Sequence, residues 1–372
     1  METNVYKQHT VGVVVPAHNE QGLVSTVIDT MPEFVDRIYV IDDRSDDGTW
    51  AEIQASAAKI NDTSQVRTTT VGEATDGTVI SDGGAGSGLV VPVRHEVNKG
   101  VGGAIKTGYL RARADGIDVT AVMAGDGQMD PGQLHRLIDP IVEGEADYAK
   151  GNRLSCPDYR EGMSSWRLFG NSILTFLTKI ASGYWKTMDP QNGYTAIATP
   201  TLAAVDVEDL YEYYGYCTDL LIKLNVERAR VADVAMPARY GEETSSIKYE
   251  EYITKVSLLL LRGFLWRLKT RYLLFDFHPV AFLYGLGALT TATGLLESLG
   301  ALRRALLTDR PSVDPGAGSD SGSDPDPNSG SGPRSKSLTH SALTFGVGCV
   351  LLILSMIFDM EANEDLETRV RE

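Results

Sequence analysis

The chain has little cysteine and lacks the signature of a secreted protein. Its 372 residues include three cysteines, Cys156, Cys217 and Cys349, and none of them forms a C-x-x-C pair. This spacing excludes a disulfide framework and a cysteine-based zinc fold. The N-terminal METNVYKQHT is polar and has no basic-then-apolar run, so no signal peptide is indicated. We therefore expect the first domain to remain in the cytoplasm.

Basic residues are also scarce. The chain has 34 Lys and Arg against 50 Asp and Glu, a formal net charge of −16. A nucleic-acid partner is excluded, because a surface that follows phosphates needs clustered Lys and Arg. Acid spread along the whole chain suits a halophilic protein that stays soluble in high salt. Hydrophobic residues make up 42% of the chain, which is enough for a sizeable core.

Three apolar runs each end in a polar loop that carries acidic residues. VGVVVPAHNE (11–20), RIYVIDDRSDDGT (37–49) and DVTAVMAGDG (118–127) predict buried strands, and the periodic segments between them predict helices. This alternation predicts an α/β fold with a mostly parallel sheet. Because ligands of such sheets bind beyond the carboxyl ends of the strands, the three loops should face one crevice. Residues 66–88, rich in Thr, Gly and Asp, predict a flexible insertion.

Two long apolar segments, 272–302 and 341–360, lie in the C-terminal third. Each is long enough to cross a hydrocarbon layer of about 30 Å, so both are predicted transmembrane helices. For the first segment, which carries Glu297, a buried core helix remains the alternative.

The segments around these spans are polar or amphipathic. Residues 251–271 mix Leu, Phe and Trp with Arg and Lys, which predicts an amphipathic helix in the membrane interface and a cytoplasmic start for the first span. Residues 303–340, rich in Ser, Gly, Asp and Pro, predict a disordered acidic linker. Two spans return the chain to its starting side, so the tail 361–372 should be cytoplasmic like the domain formed by residues 1–250.

Five ordered motifs resemble those of family 2 glycosyltransferases, and of the dolichyl-phosphate sugar synthases in particular. They are VVPAHNE, VIDDRSDDGT, NKGVGGAIKTGY, GDGQMDP and DPQNGYTAI, spread over residues 14–197. The resemblance covers residues 10 to about 250 and implies a GT-A nucleotide-sugar-binding fold. Membrane-bound members also have paired C-terminal spans.

The resemblance implies a divalent metal at the third polar loop. In a sugar transfer from a nucleotide donor, negative charge grows on the leaving diphosphate, and a cation held by oxygen ligands can neutralise it. Asp126 and Gln128 are the implied ligands of Mg²⁺ or Mn²⁺, with Asp126 also counted as catalytic. Ala124 occupies the place of the family's first acid, so one ligand is missing. Helix capping is the alternative role for this loop.

The resemblance also implies a nucleotide-sugar site on the first two loops and the glycine-rich segment. Carboxylates at strand ends can accept hydrogen bonds from a base or a ribose, glycines permit close backbone approach, and a lysine supplies a cation near the diphosphate. The implied residues are Pro16, Ala17, Glu20, Asp42, Asp43, Lys99 and Gly100, together with Asp126.

A lipid-phosphate acceptor needs cations to hold it more than a base to activate it, because the phosphate is already ionised. Arg153, Arg239 and Lys248 are the predicted phosphate contacts, with an ordinary surface ion pair as the alternative for the arginines. Asp189 matches a family aspartate near the reaction centre, where it could orient the sugar or the acceptor. Arg239 and Asp189 complete the predicted catalytic set.

The predicted activity is inverting transfer of a hexose from UDP-glucose or GDP-mannose to dolichyl or another polyprenyl phosphate, for protein glycosylation. The enzyme would be a multi-pass protein of the cell membrane with its catalytic domain in the cytoplasm. Transfer onto a lipid-diphosphate glycan and an inactive nucleotide-sugar-binding protein are the alternatives. The sequence leaves open which donor is used and whether the protein forms a homo-oligomer.

Overall fold

The computed structural model describes residues 6–69, 88–154, 165–237, 249–308 and 333–370. The chain divides into two compact units, Met1–Arg267 with Asn363–Glu372, and Leu268–Ala362. The first unit therefore extends beyond the predicted domain boundary at residue 250 and includes the C-terminal tail.

The first unit is built on one eight-stranded sheet in the order β3-β2-β1-β4-β6-β5-β7-β8. All neighbours are parallel except β6, which is antiparallel to both β4 and β5. The mostly parallel α/β fold and the three predicted strands are confirmed. The strands are β1 (Val11–Ala17), β2 (Arg37–Asp42), β3 (Val90–Arg94), β4 (Val119–Val122), β5 (Tyr148–Asn152), β6 (Thr195–Ala198), β7 (Val231–Ala235) and β8 (Glu367–Val370).

Helices cover both faces of this sheet. Val13 and Val15 of β1 belong to one core cluster and Val14 to another, so the strand is buried on both sides. The predicted insertion at 66–88 overlaps the end of α2, which continues to Thr69, and residues 70–87 lie outside the described part. The helices are α1 (Val24–Asp29), α2 (Thr49–Thr69), α3 (Gly100–Ala114), α4 (Leu134–Val142), α5 (Ser165–Ser182), α6 (Thr199–Ala204), α7 (Tyr216–Val226) and α8 (Tyr249–Arg267).

Helix α8, which overlaps most of the predicted interfacial segment 251–271, buries one apolar face. Val256 and Leu260 pack in a small cluster with residues of α5 and α7. Leu258, Leu261 and Leu265 of the same helix are exposed. The basic residues of this segment were predicted to lie in the membrane interface, but Arg267 does not. Its side chain is fully buried and donates to the carbonyls of Ile180 and Ala181 at the end of α5. A cation there satisfies carbonyls that lack helical partners.

The second unit contains two long apolar helices, α9 (Val280–Thr308) and α10 (Pro333–Ala362). Both are long and apolar enough to cross a membrane, by length and composition. The first predicted span began at 272, but residues Leu268–Phe275 form a separate π-helical segment. Phe277 has a φ of 48° and Pro279 follows two residues later, so the helix restarts only at Val280.

Small residues bring α9 and α10 together. A Cβ atom on Gly294 would lie within 2.4 Å of the Phe345 backbone nitrogen, and one on Gly348 within 2.4 Å of the Thr291 nitrogen. Close backbone approach at glycines is the usual way in which helices associate within a membrane. The predicted linker overlaps both helices at its ends, and residues 309–332 lie outside the described part.

Candidate functional site

The three predicted loops meet at one edge of the sheet. Strand β1 lies between β2 and β4, so the carboxyl ends of all three are neighbours. The Gly125 N–H donates to the Pro16 carbonyl at 3.0 Å, and the Asp43 N–H donates to the Ala17 carbonyl at 2.9 Å. The structure therefore brings the loops together as the sequence predicted.

Two further predicted residues reach the same edge through the antiparallel strand β6. Val122 at the end of β4 pairs with Thr195 at the start of β6, so the loop that precedes β6 lies beside the Asp126 loop. The Tyr194 hydroxyl donates to the Asp130 carbonyl at 2.8 Å and joins the two loops. Arg153 directly follows β5, whose carboxyl end lies at this edge.

Arg153 and Asp189 form a bidentate ion pair. The arginine Nε lies 2.7 Å from Oδ2 and Nη2 lies 3.0 Å from Oδ1. Burial of Asp189 opposes its ionisation, but hydrogen bonds and charge from Arg153 outweigh that effect and lower the pKa of the carboxyl. Asp189 has a φ of 48°, a left-handed conformation that non-glycine residues rarely adopt. A third of the Arg153 side chain remains exposed.

Asp126 is a partly buried carboxylate without a cationic partner in the described chain. Its Oδ1 accepts the Gln128 N–H at 3.0 Å, and burial raises its pKa. No group of three His, Cys, Asp or Glu side chains that could hold a metal occurs among the described residues. A single carboxylate fits Mg²⁺ or Mn²⁺ when substrate phosphates and water supply the other ligands, as magnesium sites commonly have.

The acidic pair after β2 is engaged within the protein. Asp42 is fully buried, accepts the Ser45 N–H and lies 3.0 Å from Nε of Arg94. Asp43 lies 2.7 Å from Nδ1 of His95 and accepts the Lys99 N–H at 2.9 Å. Burial opposes ionisation of Asp43, but these hydrogen bonds lower its pKa. The predicted contact of either carboxylate with a nucleotide remains a prediction.

The glycine-rich segment begins α3, with Lys99 just before the helix. Gly100 has a φ of 78°, and a Cβ atom there would lie 2.6 Å from the Glu212 carbonyl. A Cβ on Gly102 would lie 2.2 Å from the Tyr211 carbonyl. Both glycines therefore permit close packing on residues 211–212, whereas the resemblance implies that glycines of this segment permit close approach of a nucleotide sugar.

The remaining predicted residues are Glu20, Arg239 and Lys248. The backbone N–H of Glu20 donates to Thr49 Oγ1 at 2.8 Å, which ties the first loop to the start of α2. Arg239 and Lys248 lie outside the described residues.

Sequence reasoning missed several residues that support this edge. His95 bridges Asp43 and Thr107 with its two ring nitrogens. Lys150 is buried, lies 3.4 Å from Asp233 and donates to the Met188 carbonyl next to Asp189. Lys150 lies in β5 and Asp233 in β7, and every residue of these two strands is buried. For this pair, a charged residue within a buried strand was the available signal.

Comparison with known proteins identifies a family and several relatives. The family model described as glycosyl transferase family 2 matches residues 12–200. The UDP-N-acetylglucosamine–dolichyl-phosphate N-acetylglucosaminyltransferase of Methanococcus voltae is 26% identical over 231 residues, covering 62% of this chain and 86% of the relative. The undecaprenyl-phosphate mannosyltransferase of Micrococcus luteus is 27% identical over 237 residues, covering 59% and 80%.

A solved structure of glucosyl-3-phosphoglycerate synthase from Mycobacterium tuberculosis is also similar. It is 19% identical with a TM-score of 0.47, over 70% of this chain and 80% of that one. A likeness this distant carries no inference about ligands.

Proposed function

The chain belongs to glycosyl transferase family 2, and from this premise we propose that it transfers a hexose from a nucleotide sugar to dolichyl or another polyprenyl phosphate, with inversion. The observation that carries the proposal is the meeting of the Asp126 loop with the Arg153–Asp189 pair at one sheet edge. Two relatives whose names specify polyprenyl-phosphate acceptors support the same activity.

The residues divide into a donor side and an acceptor side. On the donor side, Asp126 and Gln128 would hold Mg²⁺ or Mn²⁺, which neutralises charge on the leaving diphosphate. Pro16, Ala17 and Glu20 would line the nucleotide, with Lys99 near its phosphates.

On the acceptor side, Arg153 would contact the lipid phosphate, helped by Arg239 and Lys248. The exposed third of the Arg153 side chain supports this role. Its planar guanidinium is held in one orientation by Asp189, so its donors are fixed before the acceptor arrives. An ionised phosphate oxygen is already nucleophilic, and Asp189 serves to orient Arg153 rather than to remove a proton.

We further propose a multi-pass membrane protein whose tail lies on the same side as its catalytic domain. Helices α9 and α10 would be the two spans. The tail that follows α10 contributes β8 to the sheet of the first unit, which supports a tail on the same side as the catalytic domain. Exposed apolar side chains on α8 and on α5, including Phe176 and Leu177, support contact of the first unit with the lipid surface.

Lipid-linked product formation by the detergent-solubilised full chain tests the activity. UDP-glucose, UDP-N-acetylglucosamine and GDP-mannose would each be offered with dolichyl phosphate or with a dolichyl-diphosphate glycan, in Mg²⁺ or Mn²⁺ and at low and high salt. Product on dolichyl phosphate with one donor, in the β configuration, is the expected result. Product only on the diphosphate glycan would favour that alternative, and donor binding without any product would indicate an inactive binding protein.

Extraction of membranes with alkaline carbonate tests the location. The full chain should stay in the pellet until detergent is added, because two spans hold it there. Full-length protein in the carbonate wash would contradict the two-span topology.

A further inference from the structure

The carboxylate of Glu367, in the C-terminal tail, accepts hydrogen bonds from the loop that carries Asp189. Oε1 of Glu367 accepts the Trp185 N–H at 2.5 Å, and Oε2 accepts the N–H groups of Lys186 and Thr187 at 2.7 and 2.8 Å. The Thr187 hydroxyl donates to Oε2 at 3.1 Å. One buried side chain, from a position 180 residues later in the chain, thus receives three successive backbone amides.

Other groups bind the rest of the same segment. The Met188 N–H donates to Asp233 at 3.3 Å, so four successive N–H groups point at two carboxylates. Arg369 donates to the Lys186 carbonyl at 2.7 Å, and Lys179 donates to the Trp185 carbonyl at 2.6 Å. The backbone of 185–188 is therefore fixed in one conformation immediately before Asp189.

This fixing bears on the site because Asp189 has a left-handed φ of 48°. Such a conformation is strained for a residue other than glycine and persists only where the surroundings enforce it. If the segment relaxed, the Asp189 carboxylate would move and Arg153 would lose its bidentate partner. The register of β8 on β7, with Glu367 opposite Val231, places the carboxylate at this segment.

We propose that Glu367 is a positioning residue for transfer, acting through the segment 185–188 to hold Asp189 against Arg153, so that the tail after the second apolar helix completes the acceptor side of the site. The proposal rests on the proposed function. It assigns to the tail a task beyond covering the free edge of β7.

The charge and size of Glu367 suit this task. Burial raises the pKa of the carboxyl, while hydrogen bonds from the Thr187, Trp185 and Lys186 amides favour its ionised form. A carboxylate is an acceptor on both oxygens, whereas a glutamine of the same size would turn an NH₂ donor toward at least one backbone N–H. Glu367→Gln therefore changes the hydrogen bonding without leaving a cavity.

The experiment compares Glu367→Gln with Glu364→Gln in the full chain. Glu364 lies three residues earlier in the same tail, and its carboxylate is two-thirds exposed and 3.6 Å from Lys186 Nζ, so its substitution is a matched control. For Glu367→Gln we expect kcat to fall about 10- to 100-fold, as a small misplacement can cause. The donor KM should stay within about twofold, because the donor loops follow other strands. Glu364→Gln should resemble the parent in both.

Two readouts separate positioning from a merely structural role. Hydrogen exchange should accelerate at the amides of residues 185–187 in Glu367→Gln while β1 and β4 remain protected. Adding Glu367→Gln to Asp189→Asn should lower kcat by less than about twofold, because two residues that act through one interaction are not additive. If Glu367→Gln does not fold, Glu367→Asp against Glu364→Asp gives the same comparison.

Unchanged exchange at residues 185–187, or losses of kcat that multiply fully in the double variant, would overturn the positioning role. A parent chain that transfers sugar from no donor to any acceptor would overturn the proposed function instead. The exchange comparison would still decide whether Glu367 fixes the segment, so the two failures are distinguishable.

Discussion

Arg153 and Asp189 are joined by two parallel hydrogen bonds of 2.7 and 3.0 Å at the carboxyl edge of the sheet. The same chain contains a second bidentate pair, Arg230 and Asp147, with bonds of 3.1 and 2.8 Å. Asp147 precedes β5 and Arg230 precedes β7, so this pair lies at the opposite edge. The two pairs share their chemistry and differ in position.

This difference gives the first prediction. Arg153→Lys should lower transfer about 10- to 100-fold and raise the KM for lipid phosphate, because lysine cannot make the planar bidentate contact. The rate of transfer by Arg230→Lys should stay within about threefold of the parent's, since surface ion pairs contribute little to stability. Initial rates over a range of acceptor concentrations measure both. Equal losses in the two variants would mean that Arg153 serves stability alone.

The second prediction concerns pH. The pKa of Asp189 is lower in the folded protein than in the unfolded chain. Its ionisation therefore stabilises the fold above the unfolded pKa, and this contribution is lost as pH falls through the folded value. In Asp189→Asn the free energy of unfolding should decline less on acidification than in the parent. Denaturant unfolding in detergent, followed by circular dichroism over an acid pH series, measures the difference.

A parallel decline in parent and variant would show that Asp189 and Arg153 are not paired in solution. Groups with raised pKa values, such as Asp126 and Asp233, act in the opposite direction, but they are common to both proteins. The difference between the two curves isolates Asp189.

The third prediction concerns the metal. Asp126→Asn keeps the side-chain size but removes the charge that offsets a cation, so transfer should fall about 100-fold or more. Gln128→Ala should be milder because water can replace a neutral oxygen ligand, and Ala124→Asp should be tolerated. Product formation during titration with Mg²⁺ and Mn²⁺ checks all three. Full parental activity in a strong chelator would show that the Asp126 loop is structural.

The sequence predicted the parts of the site that depend on local pattern. The strand ends, the three polar loops and their common edge follow from short apolar runs and from the parallel topology that they imply. The pairing of Arg153 with Asp189 could not be predicted, because it depends on β6 entering the sheet antiparallel between β4 and β5. The sequence alone indicates a separate role for each of the two residues.

Contacts made by the tail had no local signal. Glu367 lies in a short polar segment that predicted only a cytoplasmic tail, and its pairing with β7 joins positions far apart in sequence. The burial of Arg267 could not be predicted for a related reason. Composition indicates an amphipathic helix, but only the packing shows which basic side chain points into the protein. A boundary at residue 250 would remove α8 from α5 and α7 and β8 from the sheet.

The last prediction separates two roles for Gly102, near the start of α3. A Cβ on Gly102 would lie 2.2 Å from the Tyr211 carbonyl, which is backbone, whereas one on Gly170 in α5 would meet no atom within 4 Å. Gly102→Ala should therefore destabilise the fold by about 1–3 kcal/mol, as overpacking does. Gly170→Ala, the control, should be near neutral or slightly stabilising, because nothing crowds the added methyl group and alanine favours the helix by about 1 kcal/mol. Denaturation midpoints and donor KM values of the two variants measure the effects. If Gly102→Ala instead raised the donor KM with an unchanged midpoint, the glycine would serve the nucleotide, as the motif alone suggested, and not the packing on residues 211–212.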